Sequence, residues 1–260
     1  MNPHPHGIAL HAWLPDVIAA VREAGRAIMS VYATDFTVRN KHDASPVTEA
    51  DGLAERVIVG RLQTLTPHVP IVAEEAASDG YLPDVADRFW LVDPLDGTKE
   101  FISRNGEFTV NVALIEHGAP VLGVVFAPAL DRLFAGVGGR GAFVEHAGQR
   151  QHIRCRASPD EGATVVASRS HGDASALKDF LGERKVASLI NAGSSLKLCL
   201  VAAGEADLYP RLGRTMEWDI AAGHAVLRAA GGDVLRVDDR APLRYGKPGF
   251  ENPHFVACGL

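Results

Sequence analysis

Cysteine is scarce in this chain. Cys155, Cys199 and Cys258 are widely spaced, odd in number and in no CxxC pattern. That argues against a disulfide framework or a thiolate zinc site and fits a reducing cytosol. No block of Lys or Arg stands out and the formal net charge is -6, so a nucleic-acid groove is not expected. The acidic balance still admits an anionic substrate, because a bound divalent cation inverts the local field. No stretch approaches the ~18 uninterrupted apolar residues of a membrane helix. Met1–His6 has no apolar core, so a secretory signal is not expected either. His4, His6 and His11 read as part of a mobile tail rather than a metal-binding cluster. Internal repeats and low-complexity tracts are absent.

What remains is ordinary globular material, long enough at 260 residues for one large domain or two intimately packed ones. Leu14, Val17, Ile18, Val21, Ile28 and Val31 recur at helical spacing and predict an amphipathic helix over residues ~14–32. A polar loop runs on to Val47. Thr48, three residues before Asp51, is placed to cap a second helix whose buried stripe is Leu53, Ala54, Val57, Ile58 and Leu62. Short apolar runs at Val69–Ala73 and Phe89–Val92 end in Glu74-Glu75 and Asp93, and strand ends are where α/β proteins commonly build sites. Residues ~108–116, ~120–127, ~132–136 and ~142–145 read as an antiparallel meander.

Past residue ~155 the texture becomes α/β alternation. Strands are expected at Val165–Ser168, Val186–Ile190, Asp207–Tyr209 and Asp233–Val237, with helices at Ala174–Leu181, Ser194–Ala203 and Asp219–Ala230. The chain is therefore read as an N-terminal α+β part over 1–155 and a C-terminal α/β part over 156–260, with a cleft between them as the natural site.

Four acidic groups draw attention: Glu74-Glu75 after a strand, Asp93 and Asp96 around a turn, and Asp219 at a helix start. In Asp93-Pro94-Leu95-Asp96-Gly97-Thr98, Pro94 pushes Asp93 towards extended backbone and Gly97 permits a tight turn. Two carboxylates three apart on such a turn either cap backbone amides or point at one metal. Carboxylates about 4 Å apart repel by about 4 kcal/mol at an effective dielectric near 20, so converging groups need cations or protons. Oxygen-only donors suit Mg²⁺ or Mn²⁺ and argue against zinc.

Asp51 in Pro46-Val47-Thr48-Glu49-Ala50-Asp51, the Glu74-Glu75 pair, Asp93–Thr98 and Trp218-Asp219-Ile220-Ala221-Ala222-Gly223 together resemble the inositol monophosphatase superfamily, in that family's order and across most of the chain. The resemblance implies the layered αβαβα sandwich of the sugar-phosphatase fold. It implies Mg²⁺, two or three ions per site with Mn²⁺ as a substitute, held by Glu74, Asp93, Asp96, Asp219 and the Leu95 carbonyl. Thr98, linked to Asp51, helps activate the attacking water together with Glu74, and the Gly97 and Thr98 amides touch the phosphate. In the family the first glutamate of the pair is the ligand, which leaves Glu75 without an assigned role. Inhibition by Li⁺ at a magnesium position follows from the same likeness.

Lys99-Glu100-Phe101 after the turn, Arg104-Asn105-Gly106-Glu107-Phe108-Thr109, Gly193-Ser194-Ser195-Leu196-Lys197 and Tyr209-Pro210-Arg211 resemble the bacterial 3'(2'),5'-bisphosphate nucleotidase branch. The implied substrate is 3'-phosphoadenosine 5'-phosphate, hydrolysed to AMP and phosphate. Lys197 and Arg211 would take its second phosphate, Ser194 would add a hydrogen bond, and His171 would pack on or bond the nucleotide. Read without the likeness, Lys197 is a solvated helix lysine and Arg211 a surface arginine. Leu212 stands where the inositol branch typically has an acidic residue. The competing expectations are an inositol monophosphate or fructose 1,6-bisphosphate phosphatase, and a non-catalytic metal or nucleotide sensor. The branch's bacterial members suggest peripheral attachment to the cytoplasmic face of the inner membrane, with no transmembrane segment.

Overall fold

The computed structural model describes residues 6–40, 46–169 and 174–259. Helix α1 (His6–Tyr32) opens the chain. It begins before the expected residue 14, because Leu10 extends the buried series Leu14, Val17, Val21, Ala24, Ile28 and Val31 by one more turn. His11 is therefore an exposed helix residue rather than tail, and His4 lies outside the described residues. The loop that follows holds a small antiparallel pair, β1 (Arg39–Asn40) and β2 (Pro46–Val47). Helix α2 (Glu49–Leu65) starts on a capping box: Thr48 Oγ1 accepts from Ala50 N, and Asp51 accepts from Thr48 N.

Then come β3 (Ile71–Ala73), α3 (Glu74–Ser78), β4 (Arg88–Asp96) and α4 (Thr98–Ile102). The expected meander follows as β5 (Thr109–Glu116), β6 (Ala119–Ala127), β7 (Arg132–Val137) and β8 (Gly141–His146), and it gains a fifth strand, β9 (Gln149–Ile153). These form a seven-stranded sheet in the order β3-β4-β5-β6-β7-β8-β9, antiparallel except between β3 and β4. Strand β4 runs four residues further than Val92, through Pro94. Strand β3 pairs only with Trp90 to Val92, so the missing Pro94 N–H faces no partner strand on that side.

The second half supplies β10 (Ala163–Ser168), α5 (Ala174–Leu181), β11 (Val186–Ala192), α6 (Leu196–Ala202), β12 (Leu208–Arg211), α7 (Glu217–Ala229), β13 (Gly232–Arg236) and β14 (Phe255–Gly259). A five-stranded sheet results, in the order β11-β10-β12-β14-β13.

The layers follow from which faces are apolar. On β4, Trp90 and Val92 join a core with α1 and α2, while Phe89 and Leu91 join a second core with α6 and α7. Both faces are buried, which is why this strand reads as a continuous apolar run. Helices α6 and α7 lie between the two sheets, and Leu177, Phe180 and Leu181 of α5 cover the far side of the second sheet. The order is αβαβα. Helix α7 comes unusually close to the first sheet over Gly123 and Gly136, which are cross-strand partners on β6 and β7. A Cβ at Gly123 would lie 2.3 Å from the Ala222 carbonyl oxygen, and one at Gly136 would lie 2.8 Å from Val226 Cα.

Candidate active site

Segments from both halves converge on a cavity of about 580 Å³. Strand β4 contributes Asp93, on the same face as Phe89 and Leu91 because side chains alternate along a strand. It therefore points between the sheets, towards the start of α7. Glu74 is the first residue of α3, whose opening turn is capped from α2: Glu55 accepts from Glu75 N at 2.8 Å and from Ala76 N at 3.1 Å. Asp219 sits in the first turn of α7, with its carboxylate accepting from Met216 N at 2.8 Å. Ser195 Oγ donates to the Asp219 backbone carbonyl.

Glu74, Asp93 and Asp219 each offer an oxygen within 4.8 Å of the others, and among the described residues they form the one such acidic group. Asp96 and Leu95 line the same cavity, and Glu75 does not. The capping and clustering roles coexist here, since Asp93 also accepts from Leu95 N at 3.1 Å.

Burial dominates the electrostatics. It pushes the Asp93 carboxyl well above the usual range, with further upward push from Glu74, Asp96 and Asp219. Asp219 is raised well above that range for the same first reason, helped by Asp96 and Glu74. Asp96 is raised to about 6 by burial, against the opposing pull of Lys197. Carboxyls in that condition either carry protons or face a cation. Their donor set is oxygen only, so a hard divalent cation fits and a thiophilic one does not.

Beside the cluster lies a hydroxyl relay. Asp51 is buried and accepts from Thr48 N and Oγ1, both at 2.8 Å. Thr98 Oγ1 lies 3.4 Å from Asp51 Oδ1 and 3.4 Å from the Leu95 carbonyl oxygen. Gly97, at φ 89°, turns the chain into α4. A Cβ there would also press on Glu100 and on the Glu107 carbonyl at 3.2 and 3.3 Å, so glycine is required twice over.

The opposite wall is basic. Lys197 is only 5% exposed, so it is not a solvated helix lysine. Its Nζ donates to the Ser194 carbonyl at 2.5 Å and the Ala192 carbonyl at 3.3 Å. Burial lowers it to about 8, although Asp96 pulls the other way. Ser194 lines the cavity at φ 45°, a conformation costing a non-glycine residue on the order of 1 kcal/mol, and its buried Oγ has no hydrogen-bond partner among the described residues. Arg211 lines the cavity at the end of β12, and its guanidinium donates to the Arg214 carbonyl at 2.9 Å. His171 lies outside the described residues. An apolar pocket of about 210 Å³ adjoins this wall through Ser168 and Arg211, and Leu177, Leu189, Pro210 and Leu212 line it.

Sequence reasoning named Glu107 only within the Arg104–Thr109 stretch, with no role of its own, and did not name Asn111. Asn111 lies opposite Asp93 in register, and its amide donates to Asp96 at 3.4 Å. A polar residue amid the apolar β5 run was the one signal for it. Glu107 binds Arg169 and the Gly193 amide, across 86 residues of chain, and no local pattern announces that.

The family model described as inositol monophosphatase family matches residues 11–255. The 3'(2'),5'-bisphosphate nucleotidase CysQ of Escherichia coli (strain K12) is 50% identical over 249 residues, covering 93% of this chain and 98% of that protein. The protein of the same name from Salmonella typhimurium is 48% identical, with the same coverage. Among solved structures, CysQ from Bacteroides thetaiotaomicron superposes with a TM-score of 0.78 at 38% identity, over 94% of this chain and 96% of that one. Inositol monophosphatase from Anabaena gives 0.74 at 26% identity, over 96% and 90%. The chain belongs to the inositol monophosphatase family.

Proposed function

We propose that the protein is a Mg²⁺-dependent 3'(2'),5'-bisphosphate nucleotidase that hydrolyses 3'-phosphoadenosine 5'-phosphate to AMP and phosphate. The observation that carries the reading is one cavity lined by groups of both signs. Glu74, Asp93, Asp96 and Asp219 line it together with Lys197 and Arg211, and Lys197 stands near enough to Asp96 to pull on its carboxyl. A substrate with two phosphates uses both walls, whereas a monophosphate leaves the basic wall idle. The adjoining apolar pocket suits a planar base, and Leu212 in its lining offers nothing to sugar hydroxyls. Relatives about half identical over nearly their whole length carry this activity in their names.

In this reading the four carboxylates and the Leu95 carbonyl hold the metal. When bound, Mg²⁺ neutralises charge on the phosphate and makes water a better nucleophile. The protein's own part is orientation and proton handling. Thr98 Oγ1 takes the proton of the attacking water as it gives its own towards Asp51. Glu74, which lines the same cavity, would help orient that water. The water oxygen bonds to phosphorus, the phosphorus–oxygen bond to the ribose breaks, and the ribose oxygen takes a proton from a second solvent water, whose hydroxide is neutralised by the proton relayed to Asp51. The Gly97 and Thr98 amides bear on the phosphate oxygens, while Lys197, Arg211 and Ser194 grip the second phosphate.

Phosphate release from adenosine 3',5'-bisphosphate, inositol 1-phosphate and fructose 1,6-bisphosphate, with and without Mg²⁺, tests the reading. The nucleotide should win by tenfold or more in kcat/KM, with loss of activity on chelation. An equal preference for inositol 1-phosphate would overturn the substrate, and binding without phosphate release would indicate a sensor. The metal reading is also open to calorimetry, where Mg²⁺ should bind wild type and fail to bind Asp93→Asn.

A further inference from the structure

Glu107 lies in the connection from α4 to β5, on the first sheet, yet its carboxylate serves the second half of the chain. Its Oε2 accepts from Gly193 N at 2.8 Å and from Arg169 Nε at 2.9 Å, and its Oε1 accepts from Arg169 Nη2 at 2.9 Å. Arg169 in turn donates to the Asn191 carbonyl at 3.1 Å. Glu107 is itself set by Asn105, whose side chain accepts from Glu107 N at 2.9 Å.

The contact is close-packed as well as polar. A Cβ on Gly193 would lie 2.7 Å from both Glu100 Cγ and the Glu107 carbonyl oxygen, so the Gly193 turn can rest against this connection only without a side chain. Immediately beyond Gly193 stand Ser194 and, one turn on, Lys197, both lining the cavity. Immediately before Arg169 stands Ser168, which lines the cavity and the apolar pocket alike. One carboxylate thus ties down two of the backbone segments that line the cavity and the apolar pocket, while β12 supplies Arg211 separately. None of its hydrogen bonds described above reaches Glu74, Asp93, Asp96 or Asp219.

We infer that Glu107, through its clasp on Arg169 and Gly193, is a positioning residue that sets recognition of the substrate's second phosphate and base and leaves the phosphate-cleaving wall untouched. The inference rests on the bisphosphate reading above. An exposed arginine pair alone is worth little, and Arg169 is 44% exposed. The buried Gly193 amide gives the clasp its weight, because losing the acceptor leaves that N–H unpaired inside the protein.

The test compares Glu107→Gln and Arg169→Gln with wild type on two substrates, adenosine 3',5'-bisphosphate and p-nitrophenyl phosphate, which lacks a second phosphate and a ribose. Both variants should raise KM for the bisphosphate, Glu107→Gln about tenfold, the scale of one charge-assisted hydrogen bond, and Arg169→Gln by less, because it leaves the Gly193 amide paired with Glu107. The expected kcat stays within twofold, and kcat/KM for p-nitrophenyl phosphate is unchanged. The double variant should be no worse than the poorer single one. A parallel fall in kcat on both substrates would assign the clasp to general structure and overturn the inference, as would an unchanged KM. If Glu107→Gln does not fold, Arg169→Gln carries the same readouts from a partly exposed position. Wild-type preference between the substrates reports on the bisphosphate reading, and the variant-to-wild-type ratio reports on the clasp, so the two can fail separately.

Discussion

The two walls of the cavity are built on different principles. The acidic wall hangs on regular structure: Asp93 and Asp96 on β4, Glu74 and Asp219 in the first turns of α3 and α7. Its carboxyls are crowded and buried beyond what they would tolerate as neighbouring anions. The basic groups come from the Ser194 turn, the first turn of α6 with Lys197, and the end of β12 with Arg211. Lys197 is already satisfied by two backbone carbonyls, and Arg211 reaches a third. One wall is electrostatically frustrated until a cation arrives. The other rests its lysine charge on backbone carbonyls and leaves the Ser194 hydroxyl without a hydrogen-bond partner among the described residues. Frustration of this kind marks where a cation is most strongly favoured.

The largest effect that should separate the walls is Asp93→Asn. Phosphate release should fall by about 10³-fold, the scale of losing a principal group that stabilises transition-state charge. The same change removes a buried repelling carboxylate, so melting without metal should rise by a few degrees. A fall in both activity and melting temperature would break the account of the acidic wall as frustrated.

Lys197→Met is the matching change on the basic wall. The side chain keeps its length in a buried slot, so stability should hold. KM for the bisphosphate should rise about tenfold or more with kcat little changed, as for a charge contact made equally in ground and transition states. An equal rise for p-nitrophenyl phosphate would show that the lysine serves the cleaved phosphate instead.

The smallest effects are in pH. Asp96 has a folded value raised to about 6 over an unfolded one near 4, so the metal-free fold binds the extra proton more tightly than the unfolded chain does. Its stabilising contribution is present at low pH and is lost as pH rises through about 6. Melting curves without Mg²⁺ should therefore decline across that window, and saturating Mg²⁺ should flatten them. On the other wall, Lys197 titrates near 8. KM for the bisphosphate should climb above that pH while Mg²⁺ affinity does not. Coincident profiles would mean that the walls are not independent.

Much of this is legible in the residues alone. Helical spacing marks α1, alternation marks the meander, and the Thr48–Asp51 spacing marks the start of α2 because a capping box is a local device. The carboxylates are visible as a set only through their order along the chain, since Asp51, Glu74, Asp93 and Asp219 lie on separate elements and sequence carries no distances. Polar Gln149–Ile153 hides β9, an edge strand with a largely exposed face. Strand β14 lies between β12 and β13 in the second sheet, and its short apolar run follows a stretch rich in proline and glycine that looks like a chain end. Lys197 is ambiguous because a helix lysine is ordinarily solvated, and only packing between layers could bury this one.

The paired glycines under α7 have a consequence for how the enzyme can drift. Asp219 is the one acidic ligand candidate that does not grow from the first half, and it rides on α7, which packs against Gly123 and Gly136 of the first sheet. A single methyl at Gly123 or Gly136 would act as a shim, lifting the helix and carrying Asp219 out of register with its partners. Misplacement by about 1 Å can cost on the order of a hundredfold in rate. Catalysis here is thus gauged by two residues that touch neither metal nor substrate, and whose contribution is the space they leave empty.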